Sequence, residues 1–364
     1  MHRIACFITS HGFGHAARAS AIMDAVSEIV PSVSFDIFTT APEWFFEDSV
    51  PGRFTYHEFV TDIGLVQKTP FSHDLEKTIE TLDRFIPFDP VLISDTAELL
   101  KQRACQLVVC DISTIGISIA AKGGIPSILI ENFTWDWIYE DFIHADARIR
   151  RYVDFFREIY QAVDYHIQAS PVCNPQSVDM TTYPISRKVR LPSVRVKEKL
   201  GISQEKKMVL VTTGGVPEKY RFLKNLTAEQ EICFVIPGAG ESPERHDNLI
   251  LLPYRSGFVH SDLVYAADAV VGKAGYSTIA EVYQAGVPFG YVPRSNFRES
   301  GKLVAFIEKE MKGLCIENED FQAGTWLPKV TQLLNFPRIQ RHNRNGSHQA
   351  AGFITDLFKQ MPGN

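Results

Sequence analysis

A chain of 364 residues, 45% hydrophobic and 22% charged, carries enough apolar side chains for two cores rather than one. Its formal net charge of −6, with no long basic run, argues against a nucleic-acid binder. The six cysteines include no C-x-x-C pair, which argues against zinc, and no apolar run reaches the ~20 residues of a membrane span.

The first strand is expected at residues 3–9, which leaves no room for a signal peptide. Cysteines inside strand-like runs read as buried thiols, which fits a reducing, cytoplasmic setting. The strand runs into Ser10-His11-Gly12-Phe13-Gly14-His15, and a helix is expected over 16–29 with Ala19, Ile22, Met23 and Val26 on one face. Strand, glycine turn and helix start form the unit that opens a doubly wound sheet. A turn that served packing alone would not call for a histidine, yet a histidine at a helix start also acts as a cap. The residues alone leave both readings of His15.

Strands are expected near 34–38 and 54–59, then two helices within 75–102, broken at Pro87 and Pro90. Leu107-Val108-Val109-Cys110-Asp111 reads as a buried strand ending in a carboxylate. A helix over 112–122 and a strand over 127–130 complete a β-α-β unit. Asp111 then shares a rim with His15, where open α/β sheets take their ligands. The other reading makes Asp111 the cap of the following helix. In Asn132-Phe133-Thr134-Trp135-Asp136 the aromatic faces suit sugar rings, and Asn132 and Asp136 suit hydroxyls. A plug in the sheet-to-helix corner explains the same residues. The arginines of the next helix, to about 161, alternate with acids and form a solvated face. Peripheral membrane contact finds no support there.

After a strand over 164–170, a charged turn over 197–202 reads as a linker, with the boundary near Val196. The expected organisation is one domain over 1–196, a second over 197–345 and a last helix within 346–364. Strands over 208–212, 232–237 and 248–252 open the second sheet. Gly214 and Gly215 follow the first of them and Tyr254 follows the third. A further strand near 269–271 leads into Lys273-Ala274-Gly275-Tyr276-Ser277-Thr278, then a helix stopped by Gly286 and Pro288, then a strand over 289–292. A glycine-rich turn at a helix N-terminus suits a phosphate. Lys273 adds charge and Ser277 and Thr278 add hydroxyl donors. Glu281, one turn into the helix, can accept hydrogen bonds from a ribose diol. A packing turn with a surface lysine is the plainer reading of the same residues.

The stretch from Lys273 to Glu281 resembles the donor-nucleotide motif of GT-B glycosyltransferases. These include the plant small-molecule glycosyltransferases, the N-acetylglucosaminyltransferase of the lipid-linked cell-wall precursor, and the glycosyltransferase-like N-terminal domain of plant arabinokinases. That last resemblance extends over nearly the whole chain, through the segment around Asn132 and Trp135, and with no further glycine-rich phosphate loop in the sequence no kinase activity is expected of the chain. The resemblance implies two Rossmann-like α/β domains facing across a cleft. It implies that the first takes the acceptor, the second the donor, and that the last helix crosses back to the first domain. It gives the diphosphate to residues 273–278 and the ribose to Glu281. Gly12-Phe13-Gly14-His15 and Asp111 are similar to the plant family's base and the acid that orients it. His11, Asn132, Trp135 and Asp136 then belong to the acceptor side. Arg298-Glu299 stands where the plant family carries Asp-Gln, so the donor sugar is left open.

The chain has no D-x-D triplet, so no metal clamp or cofactor is expected. The expectation is a cytoplasmic, inverting, metal-independent transferase. Its partners would be a nucleotide sugar, most simply UDP-linked, and a small-molecule or glycan acceptor, with no nucleic acid. The alternative is a non-catalytic sugar-nucleotide-binding module on the same fold.

Overall fold

Apolar runs of five or six residues alternate with helices along the chain, and the computed structural model sorts them into two compact units. It describes residues 2–69, 72–214, 222–227, 229–294 and 297–360, so Gly215 lies outside the described residues. Unit 1 comprises Met1–Lys68, Ser72–Ile185 and Arg344–Asn364; unit 2 comprises Thr69–Phe71 and Ser186–Asn343.

Unit 1 begins with β1 (Arg3–Ile8), α1 (Phe13–Ile29), β2 (Ser34–Thr39), α2 (Glu43–Ser49) and β3 (Arg53–Glu58). β4 (Gln67–Thr69) and β5 (Ser72–His73) pair as a separate two-stranded sheet. Next come α3 (Leu75–Phe85), α4 (Pro90–Gln102), β6 (Leu107–Asp111), α5 (Thr114–Gly123) and β7 (Ser127–Glu131). α6 (Trp135–Glu140), α7 (Arg150–Gln161), β8 (Tyr165–Ala169) and β9 (Met180–Thr182) follow. The sheet order is β3-β2-β1-β6-β7-β8-β9, with every pairing parallel. Strands covered on both faces explain runs as apolar as that of β6. The chain moves outward from β1 to β3, then returns to lay β6 on the other side of β1. The topological switch point therefore lies between β1 and β6.

Unit 2 holds α8 (Ser193–Lys199), β10 (Lys207–Thr212), α9 (Leu223–Leu226), β11 (Ile232–Pro237), β12 (Glu244–His246) and β13 (Leu249–Leu252). It continues with α10 (His260–Ala266), β14 (Ala269–Lys273), α11 (Tyr276–Ala285), β15 (Phe289–Val292), α12 (Arg298–Glu310), β16 (Gly313–Cys315), α13 (Asn318–Ala323) and α14 (Leu327–Leu334). The order is β12-β13-β11-β10-β14-β15-β16, parallel except for β12 on β13. Alternate strand residues feed two cores. Met208, Leu210 and Val270 join one, and Val209, Val211 and Val271 join the other. The switch point here lies between β10 and β14. The charged turn read as a linker is α8, whose Val196 and Leu200 are buried in the unit 2 core. The division between units falls between Ile185 and Ser186, ahead of the Val196 position expected from sequence.

The last helix, α15 (Gly346–Gln360), belongs to unit 1 and packs along α1. It buries Ala350, Ala351, Ile354, Leu357 and Phe358. Among the described residues no helix is long and apolar enough to cross a membrane.

Candidate functional site

Ile8 and Asp111 are register partners at the carboxyl ends of β1 and β6. α1 begins directly beyond β1, at Phe13, after Gly12 turns the chain with a φ of 86°. An L side chain seldom adopts that conformation. His15 is the third residue of α1, and its Nδ1 lies 2.8 Å from Asp111 Oδ1. The capping reading of His15 is replaced by this contact. Asp111 does not cap α5 either, because Ser113 does so by accepting from the Gly116 N–H at 3.3 Å. Ile112, between them, has a φ of 61°, a strained value for a β-branched residue. That kink ends β6 at the carboxylate.

Arg18, one turn beyond His15 and 1% exposed, completes the group. Its Nε donates to Asp111 Oδ2 at 2.7 Å and its Nη2 to Oδ1 at 2.8 Å. Nη1 donates to Asn132 Oδ1 at 2.6 Å. Burial pushes the Asp111 carboxyl up, but the Arg18 charge and the hydrogen bonds from His15 and Arg18 outweigh it and hold the carboxyl below its usual range. An ionised Asp111 fixes the proton on His15 Nδ1 and leaves the lone pair on Nε2. Arg18 Nη2 also lies 3.3 Å from Nδ1, but both atoms carry protons in this tautomer, so that contact is no hydrogen bond.

The aromatic segment is the corner plug. Trp135 is 0% exposed, so it offers no face to a sugar. Its Nε1 donates to Asp62 Oδ2 at 3.0 Å, and Thr9 Oγ1 donates to Asp62 Oδ1 at 2.5 Å. Burial pushes the Asp62 carboxyl up to about 6, against the hydrogen bonds from Thr9 and Trp135 and the charge of His15. Asn132 is fully buried and holds Arg18, so it is not poised for an acceptor hydroxyl. Asp136 has a buried, unpartnered Oδ1 and a raised pKa, mainly from burial. His11 meets Trp135 edge-on at 5.3 Å, and its Nε2 lies 3.0 Å from Gln67 Nε2. Phe13 packs on Trp44 and Phe45, and Gly14 lies within the first turn of α1.

At the second switch point Thr212 is the register partner of Gly272. A Cβ on Gly272 would stand 1.9 Å from the Thr212 carbonyl oxygen, so the closeness of β10 and β14 requires glycine there. Lys273 ends β14, Ala274 is buried, and Gly275 is the N-cap of α11 with no side chain capping it. Tyr276, Ser277 and Thr278 form its first turn. Burial and the Arg294 charge push Lys273 down to about 8, with Glu299 acting the other way. Gly214 has a φ of 76° beyond β10, and Tyr254 lies against Gly238, where an added Cβ would meet its ring at 2.4 Å. Arg298 and Glu299 open α12.

Glu281 is buried and paired. Oε1 accepts from Arg187 Nε at 3.0 Å, and Oε2 lies 2.6 Å from His260 Nδ1. His260 Nε2 in turn lies 3.2 Å from Thr212 Oγ1. Burial raises the Glu281 carboxyl, but the charges of Arg187 and His260 and their hydrogen bonds carry it below its usual range. A carboxylate has roughly four lone-pair sites, so two partners leave acceptor capacity for a diol.

Residues 227–361 match the model of the glycosyltransferase family 28 C-terminal domain. L-arabinokinase of Arabidopsis thaliana is 27% identical over 361 residues, which is 97% of this chain and 34% of that protein. The chain thus spans about a third of that relative's length. The UDP-N-acetylglucosamine--N-acetylmuramyl-(pentapeptide) pyrophosphoryl-undecaprenol N-acetylglucosamine transferase of Bacillus cytotoxicus is 24% identical over 268 residues, covering 66% of this chain and 69% of that one. The solved structure of CalG4, the calicheamicin glycosyltransferase, superposes with a TM-score of 0.65 and 14% identity over 100% of both chains. The chain has the GT-B fold.

Sequence reasoning about this GT-B chain missed five residues that now stand at its rims: Arg18, Asp62, Arg187, His260 and Arg294. Arg18 carried a usable signal, since the i, i+3 spacing puts it on the His15 face of one helix. The other four reach the sites only through the fold.

Proposed function

We propose that the chain transfers a sugar from a nucleotide-diphosphate sugar, UDP-linked, to an acceptor hydroxyl, with inversion at the anomeric carbon and without a metal ion. The observation that carries this reading is the buried His15–Asp111 contact of 2.8 Å at a sheet switch point. A sugar hydroxyl is a weak nucleophile until its proton is removed. His15 Nε2 takes that proton, and Asp111 holds the ring in the tautomer that can do so. One in-line displacement follows: the acceptor oxygen bonds to the anomeric carbon, the bond to the diphosphate oxygen breaks, and the nucleoside diphosphate leaves with its electron pair. In unit 2 the α11 N-terminus, Lys273 and the Ser277 and Thr278 hydroxyls receive the diphosphate, and Glu281 receives the ribose. The missing D-x-D triplet and the basic side chains near α11 support charge neutralisation by protein groups. The relative from Bacillus cytotoxicus, named for a UDP-linked donor, supports UDP. The likeness to L-arabinokinase spans too little of that protein to carry over its kinase activity.

One observation favours the binding-module reading. Arg18 occupies both oxygens of Asp111, which reduces the charge left to stabilise an imidazolium. A screen of UDP-, GDP- and dTDP-sugars separates the two. Both readings predict thermal stabilisation, about 2.7 kcal/mol at a hundred times the dissociation constant. Only the enzyme releases nucleoside diphosphate on turnover, and release must survive EDTA. Binding without any release across acceptors would favour the module.

A further inference from the structure

Two cations at the second switch point have no ion-pair partner among the described residues. Arg294 follows β15 through Pro293 and is 8% exposed. Its guanidinium lies over the Phe297 ring, 4.0 Å from the centroid, and its backbone N–H donates to Ser300 Oγ at 2.8 Å. Its Nε is buried and makes no hydrogen bond among the described residues. Among the described residues no carboxylate forms an ion pair with Arg294 or Lys273; Glu299 acts on both only from farther off. Lys273 is the register partner of Val292, and the Ala274 N–H donates to the Val292 carbonyl at 2.9 Å. Arg294, two residues on, therefore ends beside the uncapped start of α11.

A buried guanidinium without a partner is costly, and a positive helix terminus beside it adds to that cost. Phe297 covers one face of the group, and on its edge the buried Nε still lacks an acceptor among the described residues. That edge matches two oxygens of one oxyanion. We propose that Arg294 is the fork that receives an oxyanion of the donor beside Lys273: a phosphate of the nucleoside diphosphate or a carboxylate on the transferred sugar. The assignment rests on the donor reading above and adds to it the residue and the chemistry it selects.

Calorimetry on the full chain distinguishes the sources. The probes are UMP, UDP, UDP-glucose and UDP-glucuronate, with native protein, Arg294→Met and Arg294→Lys. If the fork takes a phosphate, Arg294→Met weakens UDP about ten- to a hundredfold; UMP is unchanged when that phosphate is the β one and weakened with UDP when it is the α one. If it takes a carboxylate, UDP is unchanged and native protein prefers UDP-glucuronate to UDP-glucose, a preference lost in Arg294→Met. Lysine restores only part of either effect, because an ammonium makes no fork. Arg294→Met without ligand should melt at or above the native temperature, since the change removes an unpaired buried charge. A structural arginine would instead lower it. Equal affinities in native and Arg294→Met protein for UDP and both sugars overturn the assignment. If native protein binds no nucleotide, the donor reading fails, and inorganic pyrophosphate then tests the fork alone. Stabilisation of native protein but not Arg294→Met keeps the fork, and equal responses overturn it.

Discussion

Asp111 serves the Arg18 guanidinium and the His15 imidazole at once, which sets what each neighbour can contribute. His15 needs only one oxygen to fix its tautomer, and it shares that oxygen with Arg18, which also ties down the other. If His15 is the base, His15→Ala lowers turnover by ~10²–10⁴-fold, or roughly 3–5 kcal/mol of barrier. Nucleotide affinity stays the same, because the proposed donor residues lie in unit 2. Full turnover per folded molecule in that variant would remove His15 from the chemistry. Asp62 makes a separate prediction. Its folded pKa, near 6, exceeds the ordinary carboxyl value, so the folded state holds its proton more tightly than the unfolded chain. Stability from this group is therefore present at low pH and lost as pH rises from about 4 to about 6. The cost above pH 6 is roughly 3 kcal/mol. Asp62→Asn should flatten that part of the stability profile, read by urea denaturation of both proteins at pH 4, 5, 6 and 7. Parallel profiles would show that Asp62 ionises there as freely as in the unfolded chain.

At the scale of elements, the end of β14 and the start of α11 confine Lys273 between opposing demands. Its folded pKa of about 8 lies below the ordinary lysine value. The unfolded chain thus binds more protons between about pH 8 and 10.4, and the cost of burying the cation is relieved as pH rises through that window. Anion binding runs the other way, since the charge it uses disappears. UDP affinity should weaken as pH rises from 7.5 to 9.5, by up to about tenfold per unit above the pKa. Calorimetry at pH 8 in two buffers should show proton uptake. A flat native profile would take Lys273 out of the phosphate site; Lys273→Met should be flat.

Element by element, the strands were legible because β-branched apolar runs of five residues admit few other readings. β6, β10 and β14 were each expected within a residue or two of where they lie. The α11 stop at Gly286 was legible too, and its φ of 66° is the left-handed cap that Gly-then-Pro implies. Helix starts were less visible. α1 begins three residues before expectation because Gly12 supplies the turn, and α5 begins two residues after because Ile112 is kinked. α8 was taken for a linker because its charges hide Val196. α12, α13 and α14 passed unassigned. Of the rims, His15, Asp111 and Lys273 were found because glycine turns and strand ends mark them. The Arg187–Glu281–His260 group was not, since its members meet across 94 and 21 residues of chain.

For the whole molecule, the order of the chain makes unit 1 depend on its last helix. Unit 1 is built from sequence on both sides of unit 2, and α15 reaches it only after unit 2 has been traversed. The Gly346 N–H donates to the Pro184 carbonyl at 3.1 Å, and His348 Nε2 lies 3.3 Å from Glu28. The larger contribution is apolar. Ile354 is 1% exposed and, with Ile4, Ile22 and Val26, lines a cavity that also touches Asp111. Truncating it enlarges a space that already exists, and the surroundings relax only in part to fill it. Ile354→Ala should cost about 2–5 kcal/mol. That loss should fall on unit 1, whose core it opens, while unit 2 keeps a complete sheet and both of its cores. UDP affinity should therefore persist at temperatures where the His15–Asp111 rim has already melted. Thermal unfolding followed by hydrogen exchange, with UDP titrated at each temperature, reads the two units separately. If Ile354→Ala lowers protection and UDP affinity together, at one temperature, the units unfold as a single cooperative body and the proposed separation of donor binding from proton transfer loses its thermodynamic basis.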